Sequence, residues 1–332
     1  VRPADSLRVL ARQTVDSLLM TIERVRTQDV HPPLYYLLLD IWVIIIGESE
    51  FALRLPSALA GMLALASIFA LGQRLFGRDA GLMALVILGT SAFFLYYTRE
   101  ARMYTLALAL VLLATYFYSR WWRDASFTNN LGYVVCVLLA LYTHYLTALV
   151  IIVHILHLVI MLLTRQKRFT RHIVLMLLVI GIFYGAWIPI ALAQLVANPA
   201  GAAATYIPTD SNTLSAMWLV LTHGNGWLYW VPLIFTTALV DVWREAKLAR
   251  VVSLVLLWLV LPAVILLALN ENGLRVFQLR YIVFSLPALI LLVAYGLSRL
   301  YLPLAMISRD APIWRYVAII LVVWIAYAQL TS

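Results

Sequence analysis

Three polar clusters interrupt a strongly apolar chain, and each carries groups able to bind or move a charged substrate. The first is DVHPPLYYLLLD, from Asp29 to Asp40. Pro32 and Pro33 end the preceding segment and start a helix, whose unpaired first amides favour an anion. His31, Tyr35 and Tyr36 would then face a phosphate at the edge of a bilayer. The alternative is a plain helix start with an interfacial belt of tyrosines. The second cluster is YYTREARMYTL, from Tyr96 to Leu106, where Arg99, Glu100 and Arg102 fall between two long apolar segments. Here Glu100 could hold an acceptor hydroxyl or a metal, while the arginines pair with phosphate oxygens in the forked geometry that suits a guanidinium. The plainer reading is an ion pair at a helix turn. The third is RYIVFSLPAL, where Arg280 and Tyr281 are expected to open a helix after a loop holding Glu271 and Arg275. Arg280 reads as a second phosphate contact or as an arginine snorkelling to the interface. His144, in the Thr143 to Tyr145 junction, reads as a binding group or a structural hydrogen-bonder, and His154 and His157 read as core.

The elements that position these groups follow from composition. Hydrophobic residues make up 64% of the 332-residue chain, charged residues only 12%, and the mean hydropathy is +0.94. A soluble core cannot absorb that apolar surface, and segments of the length needed to cross a bilayer recur throughout. We expect an all-α, polytopic transmembrane bundle of about ten spans, at 55–74, 79–97, 101–120, 130–145, 146–164, 172–196, 227–243, 250–269, 280–301 and 313–330. The net charge of +9 does not point to nucleic acid, because the basic residues lie between apolar spans and are not interleaved with base-stacking aromatics. They read as loops on the cytoplasmic side. Cys136 is the only cysteine and lies in an apolar run, which excludes a disulfide framework and a cysteine zinc site.

The segment from Leu34 to Ile46 decides the topology. About 13 residues at 1.5 Å rise cover only about 20 Å, so it is expected to lie at the surface or re-enter rather than cross. That choice places all the basic loops on one face and both the HPPLYY and TREARMY clusters on the other. Residues 1–54 are then an external region of amphipathic and juxtamembrane helices, and 55–332 a transmembrane bundle with a longer external loop at 197–226. The opening VRPADSLRVLARQ has neither an initiator methionine nor an apolar span, and reads as following a first transmembrane helix.

In order, HPPLYYLLL, GESEFALRLPSALAG with Arg54, RLFGRDAG, YYTREARMYTLALAL and RYIVFSLPAL resemble bacterial glycosyltransferases of the GT-C fold. That group includes the protein O-mannosyltransferase-like family, the lipid A aminoarabinose transferases and the rhizobial lipopolysaccharide sugar transferases. The resemblance implies inverting transfer of a sugar from a polyprenyl-phosphate donor to a lipid, glycan or protein acceptor. It further implies a multi-pass protein of the bacterial inner membrane with its active site outside the cytoplasm. It assigns Glu100 to a catalytic acid position and His31 to a position near the donor phosphate; Tyr35, Tyr36, Arg54, Arg99, Arg102, Tyr104, His144, Arg275, Arg280 and Tyr281 are the further candidates for substrate contact. It also implies an upstream Asp-Glu pair. At that distance this chain reads Pro3, Ala4, Asp5, which makes Asp5 the candidate and leaves the pair itself missing. A divalent metal ion stays open, since one or two carboxylates plus phosphate suffice to hold one. The rival readings are a flippase or transporter of lipid-linked saccharides, which favours charges near the bilayer midplane, and a non-catalytic membrane scaffold.

Overall fold

In the computed structural model, the described residues are 3–164, 171–197, 210, 212–222, 224, 229, 245–274, 277–299 and 311–331. Their regular elements are all helical: α1 (Pro3–Gln28), α2 (Leu34–Ile46), α3 (Glu50–Phe76), α4 (Arg78–Thr90), α5 (Ala92–Arg99), α6 (Tyr104–Trp121) and α7 (Phe127–Thr143). There follow α8 (Thr147–Leu163), α9 (Arg171–Gly185), α10 (Ile188–Ala197), α11 (Thr213–Thr222), α12 (Ala246–Leu269), α13 (Leu286–Arg299) and α14 (Ala311–Thr331). Nine of the ten expected spans coincide with these helices, and 227–243, apart from Tyr229, lies outside the described residues. Of 197–226, only α11 and isolated positions are described.

Helix α6 is the axis, packed on α3 and α7 and buried along most of its length. The perimeter is apolar and open: Ile182 is 71% exposed, Ile320 60% and Leu163 78%. Such a surface is stable only where the surrounding solvent is hydrocarbon. Two described helices, Glu50–Phe76 and the one from Ala246, are long and apolar enough to cross alone, and counting two bent pairs as single spans gives four.

Those bends depart from the uninterrupted spans expected at 79–97 and 172–196. The first bends by 61° at Ser91, whose hydroxyl accepts from the Phe94 amide and so starts α5 as a new helix. The second bends by 58° before α10, where Pro189 lacks the amide that would bond back to Gly185. The expected helix start at Arg280 is also corrected: Leu279–Phe284 is a 3₁₀ turn, and the α-helix begins at Leu286 because Pro287 fits only a first turn.

Helix α2 has the bounds expected of it, entered from Pro33. Helix α3 runs through Pro56, which cannot donate to the carbonyl four residues back, that of Ala52. The Trp42 indole of α2 donates to that carbonyl instead, at 2.8 Å. Where α3 crosses α4, glycines allow the backbones to meet: a Cβ on Gly81 would stand 2.8 Å from both the Phe69 oxygen and the Gln73 nitrogen.

Candidate functional site

Helix α3 begins near Arg54 and ends near Arg74, and its neighbour α6 begins at Tyr104, so α2, the α5–α6 corner and the start of α3 gather at one end of the bundle. A single hydroxyl joins them. Ser57 on α3, fully buried, lies 2.9 Å from the Tyr35 hydroxyl and donates to the Arg102 carbonyl at 3.0 Å. The Ser57 carbonyl in turn accepts from the Thr105 hydroxyl at 3.0 Å. The corner is tight, because the Arg102 amide donates to the Glu100 carbonyl at 2.8 Å. With backbone and neighbours pinned, Arg102 and Glu100 are held where two helices could otherwise slide.

A cleft of about 840 Å³ opens beside this corner, lined by Arg54, Tyr96, Arg99, Glu100 and Arg102 and closed on one side by Gln329 and Leu330 of α14. Three arginines and one carboxylate thus line the same cleft. Arg54 spends part of its charge on Glu50, at 2.6 Å, but both are exposed and such a pair contributes little. Arg280, from the 3₁₀ turn, lies within Coulombic reach of Tyr96, Tyr97 and Tyr104, so the third sequence cluster joins the second. Its guanidinium hydrogen-bonds Gln278 and stands 5.8 Å from the centre of the Tyr281 ring.

The first cluster closes the site from α2. His31 Nδ1 lies 2.6 Å from an Asp29 oxygen, which also accepts from the Val30 amide at 2.6 Å. Burial works to raise the Asp29 pKa, but His31, the Val30 amide and the Tyr36 hydroxyl outweigh it and hold the carboxylate near 2. A carboxylate so firmly ionised is a poor base and a good clamp: it fixes the His31 ring. Sequence reasoning missed this role for Asp29, although a carboxylate two residues before a candidate histidine is a signal in itself.

His144 sits at the α7–α8 junction, 3% exposed, inside a box of rings: centroids lie at 5.8 Å for His31, 5.4 Å for Tyr104, 5.8 Å for Tyr281 and 5.3 Å for Phe284. The Leu146 amide donates to its Nδ1 at 3.1 Å, which assigns the proton to Nε2. Burial, then the charges of His31 and Arg280, push its pKa down to about 3, so it is neutral. Nε2 is buried without a partner, and the buried hydroxyl of neighbouring Tyr104 faces the Arg102 guanidinium. Two hydrogen-bonding groups thus stand side by side where a ligand or water can bond.

The remaining candidates divide. Arg275 lies outside the described residues, as does the side chain of Asp5. Asp5 itself stands near the start of α1, about 35 Å of helical rise before Gln28. His154 and His157 are core groups, bonded to Thr115 at 3.1 Å and to Tyr118 at 3.0 Å. Among the described residues no three histidine, cysteine or acidic side chains converge as a metal site.

Residues 30–188, just under half of the chain, match the family model described as dolichyl-phosphate-mannose-protein mannosyltransferase. No curated protein matches the chain in sequence. Among solved structures, ArnT from Cupriavidus metallidurans bound to undecaprenyl phosphate is similar over 90% of this chain and 59% of its own, with a TM-score of 0.57 at 17% identity. The same protein in its apo state is similar over 81% and 49%, with a TM-score of 0.54 at 17% identity. This chain therefore spans at most three-fifths of the length of that protein, and the likeness is one of fold.

Proposed function

Taking the chain as one with the GT-C fold, a polytopic helical membrane protein, we propose that it is a membrane glycosyltransferase drawing its sugar from a polyprenyl-phosphate donor. The observation that carries the reading is a cleft at one end of an apolar bundle lined by Arg99, Arg102 and Glu100, with Arg280 within Coulombic reach of Tyr96 on its wall. An acceptor hydroxyl oxygen bonds to the anomeric carbon while its proton passes to Glu100. The bond from that carbon to the phosphate oxygen breaks, and its electron pair leaves with polyprenyl phosphate. Charge grows on the phosphate as the bond breaks, and arginines already in place stabilise it without reorganisation. His31, clamped by Asp29, adds a hydrogen-bonding group at the same end, where the Tyr36 hydroxyl also meets Asp29.

The neutral pair of His144 and Tyr104 suits sugar hydroxyls, which need donors and acceptors but no charge. We assign the base role to Glu100 rather than Asp5, because Glu100 lines the cleft and Asp5 stands far along α1. Among the described residues, Arg74, Arg123, Lys247 and Arg250 gather at the other end of the bundle, which supports a site on the non-cytoplasmic face. Protein reconstituted with a polyprenyl-phosphate sugar should release polyprenyl phosphate, and Glu100→Gln and Arg102→Ala should each suppress release. Movement of labelled donor between leaflets with no bond cleavage, for any donor offered, would overturn the reading.

A further inference from the structure

The end of the bundle opposite the cleft carries a second concentration of positive charge that the proposed transfer does not use. Along α3, Arg54 and Arg74 are separated by about 30 Å of helical rise, the thickness of the hydrocarbon layer, so Arg74 belongs to the other face. There a pocket of about 140 Å³ is lined by Arg74, Arg123, Lys247 and Arg250, with Ser119, Trp122 and Val251 among its apolar and polar walls. The four cations come from three separate parts of the chain: the end of α3, the turn after α6 and the start of α12. Arg120 stands close enough to act on Arg74 as well.

Positive-inside topology requires basic residues in these loops, but it does not require them to converge. Nor does it require one to be drawn in and fixed. Arg74 is half-buried, and its guanidinium is oriented by Ser119, donating from Nε to the hydroxyl at 2.8 Å and from Nη2 to the carbonyl at 3.0 Å. Among the described residues none of these cations has a carboxylate within ion-pair distance. The nearest acid in sequence, Asp124, is turned towards Asn129, which donates to its Oδ2 at 3.3 Å.

We propose that this pocket binds the phosphate headgroup of an anionic phospholipid in the leaflet opposite the catalytic cleft. A fixed guanidinium supplies the directed contact, Arg123 and Lys247 supply mobile charge at the rim, and Leu75 and Val251 meet the start of the acyl region. The assignment does not depend on which sugar is transferred, or on whether one is.

The test titrates the full chain in neutral detergent with phosphatidylglycerol, phosphatidylcholine or inorganic phosphate, reading retained lipid by native mass spectrometry. Phosphatidylglycerol should be retained in preference to phosphatidylcholine. The double variant Arg123→Gln with Lys247→Gln should weaken that retention about 30-fold, at about fivefold per cation removed. Its unfolding temperature in neutral detergent with phosphatidylcholine should match the wild type, which separates lost binding from lost folding. If the variant fails that control, Lys247→Gln alone should still weaken retention about fivefold. Arg102→Ala, in the other cationic cluster, should leave retention unchanged. Equal retention of the two lipids, wild-type retention by a folded variant, or loss through Arg102→Ala alone would each overturn the proposal. Inorganic phosphate displacing phosphatidylglycerol at equal concentration would overturn the lipid assignment.

Discussion

Replacing Ser57 by alanine removes one oxygen that serves three elements. It deletes the 2.9 Å contact to Tyr35 and the 3.0 Å bond to the Arg102 carbonyl while changing the packed volume very little. The two losses are unequal. Tyr35 is only 3% exposed, so its hydroxyl is left without a partner in a dry site, whereas Arg102 lies at an exposed corner and the bond to its carbonyl is only partly buried. A stranded buried hydroxyl costs about 1–3 kcal/mol, and a carbonyl rehydrated by water costs little. At about 1.4 °C per kcal/mol for a chain of this length, the unfolding midpoint in detergent should fall by about 1–4 °C. Tyr35→Phe removes the same bond but strands nothing, because Ser57 keeps its donation to Arg102, and should cost about 1 kcal/mol or less. The double variant should therefore be less destabilised than the two single effects added together, with a coupling above about 0.5 kcal/mol. Turnover should follow the same order, since the Arg102 backbone is released in Ser57→Ala and kept in Tyr35→Phe. Strict additivity, or a Ser57→Ala protein as stable as the wild type, would refute the view that this hydroxyl ties α2 to the Arg102 corner.

Arg102→Ala should slow release of polyprenyl phosphate by about 10²–10³-fold, as loss of a preorganised charge contact does, with Arg102→Lys recovering only part; a radiolabelled-donor assay reads both. His144 has a folded pKa near 3 against an ordinary 6.5, so the unfolded chain takes up its proton first. The stability it contributes is full above about pH 6.5 and drains as the pH falls towards 3. Between pH 6.5 and 5 the loss should be about 2 kcal/mol, and the difference in unfolding midpoint between wild type and His144→Asn should show it. Gly81→Ala places a Cβ 2.8 Å from the backbone of α3 and should destabilise by about 1–3 kcal/mol, read as a lower midpoint with the donor preference unchanged.

What the sequence made legible was whatever depends on neighbours along the chain. Apolar length placed α3, α6, α7, α8, α12 and α14, and the pair Pro32–Pro33 placed the start of α2, because these signals act within a few residues. Glu100 and its arginines stood out because charge beside apolar helices is costly. The bends at Ser91 and before Pro189 carried local signals too, a capping serine and a proline, but apolar runs on either side masked them. The Ser57 junction was not legible, since it joins positions 22 and 45 residues apart through one hydroxyl in an otherwise ordinary helix. The same holds for His144. Its tautomer follows from an amide two residues on, but its neighbours His31, Tyr104 and the pair Tyr281 and Phe284 come from three distant segments.

The indole of Trp42 and the proline of α3 bear on how such a chain can be rearranged. Because Pro56 leaves the Ala52 carbonyl to be served from α2, the two helices share one hydrogen-bond inventory rather than keeping separate ones. A chimera that imports α3 with its proline but brings an α2 lacking tryptophan inherits an unserved carbonyl at the threshold of the cleft. A graft of residues 34–76 as a block carries the debt and its settlement together, which makes that block the natural unit of recombination in this end of the molecule.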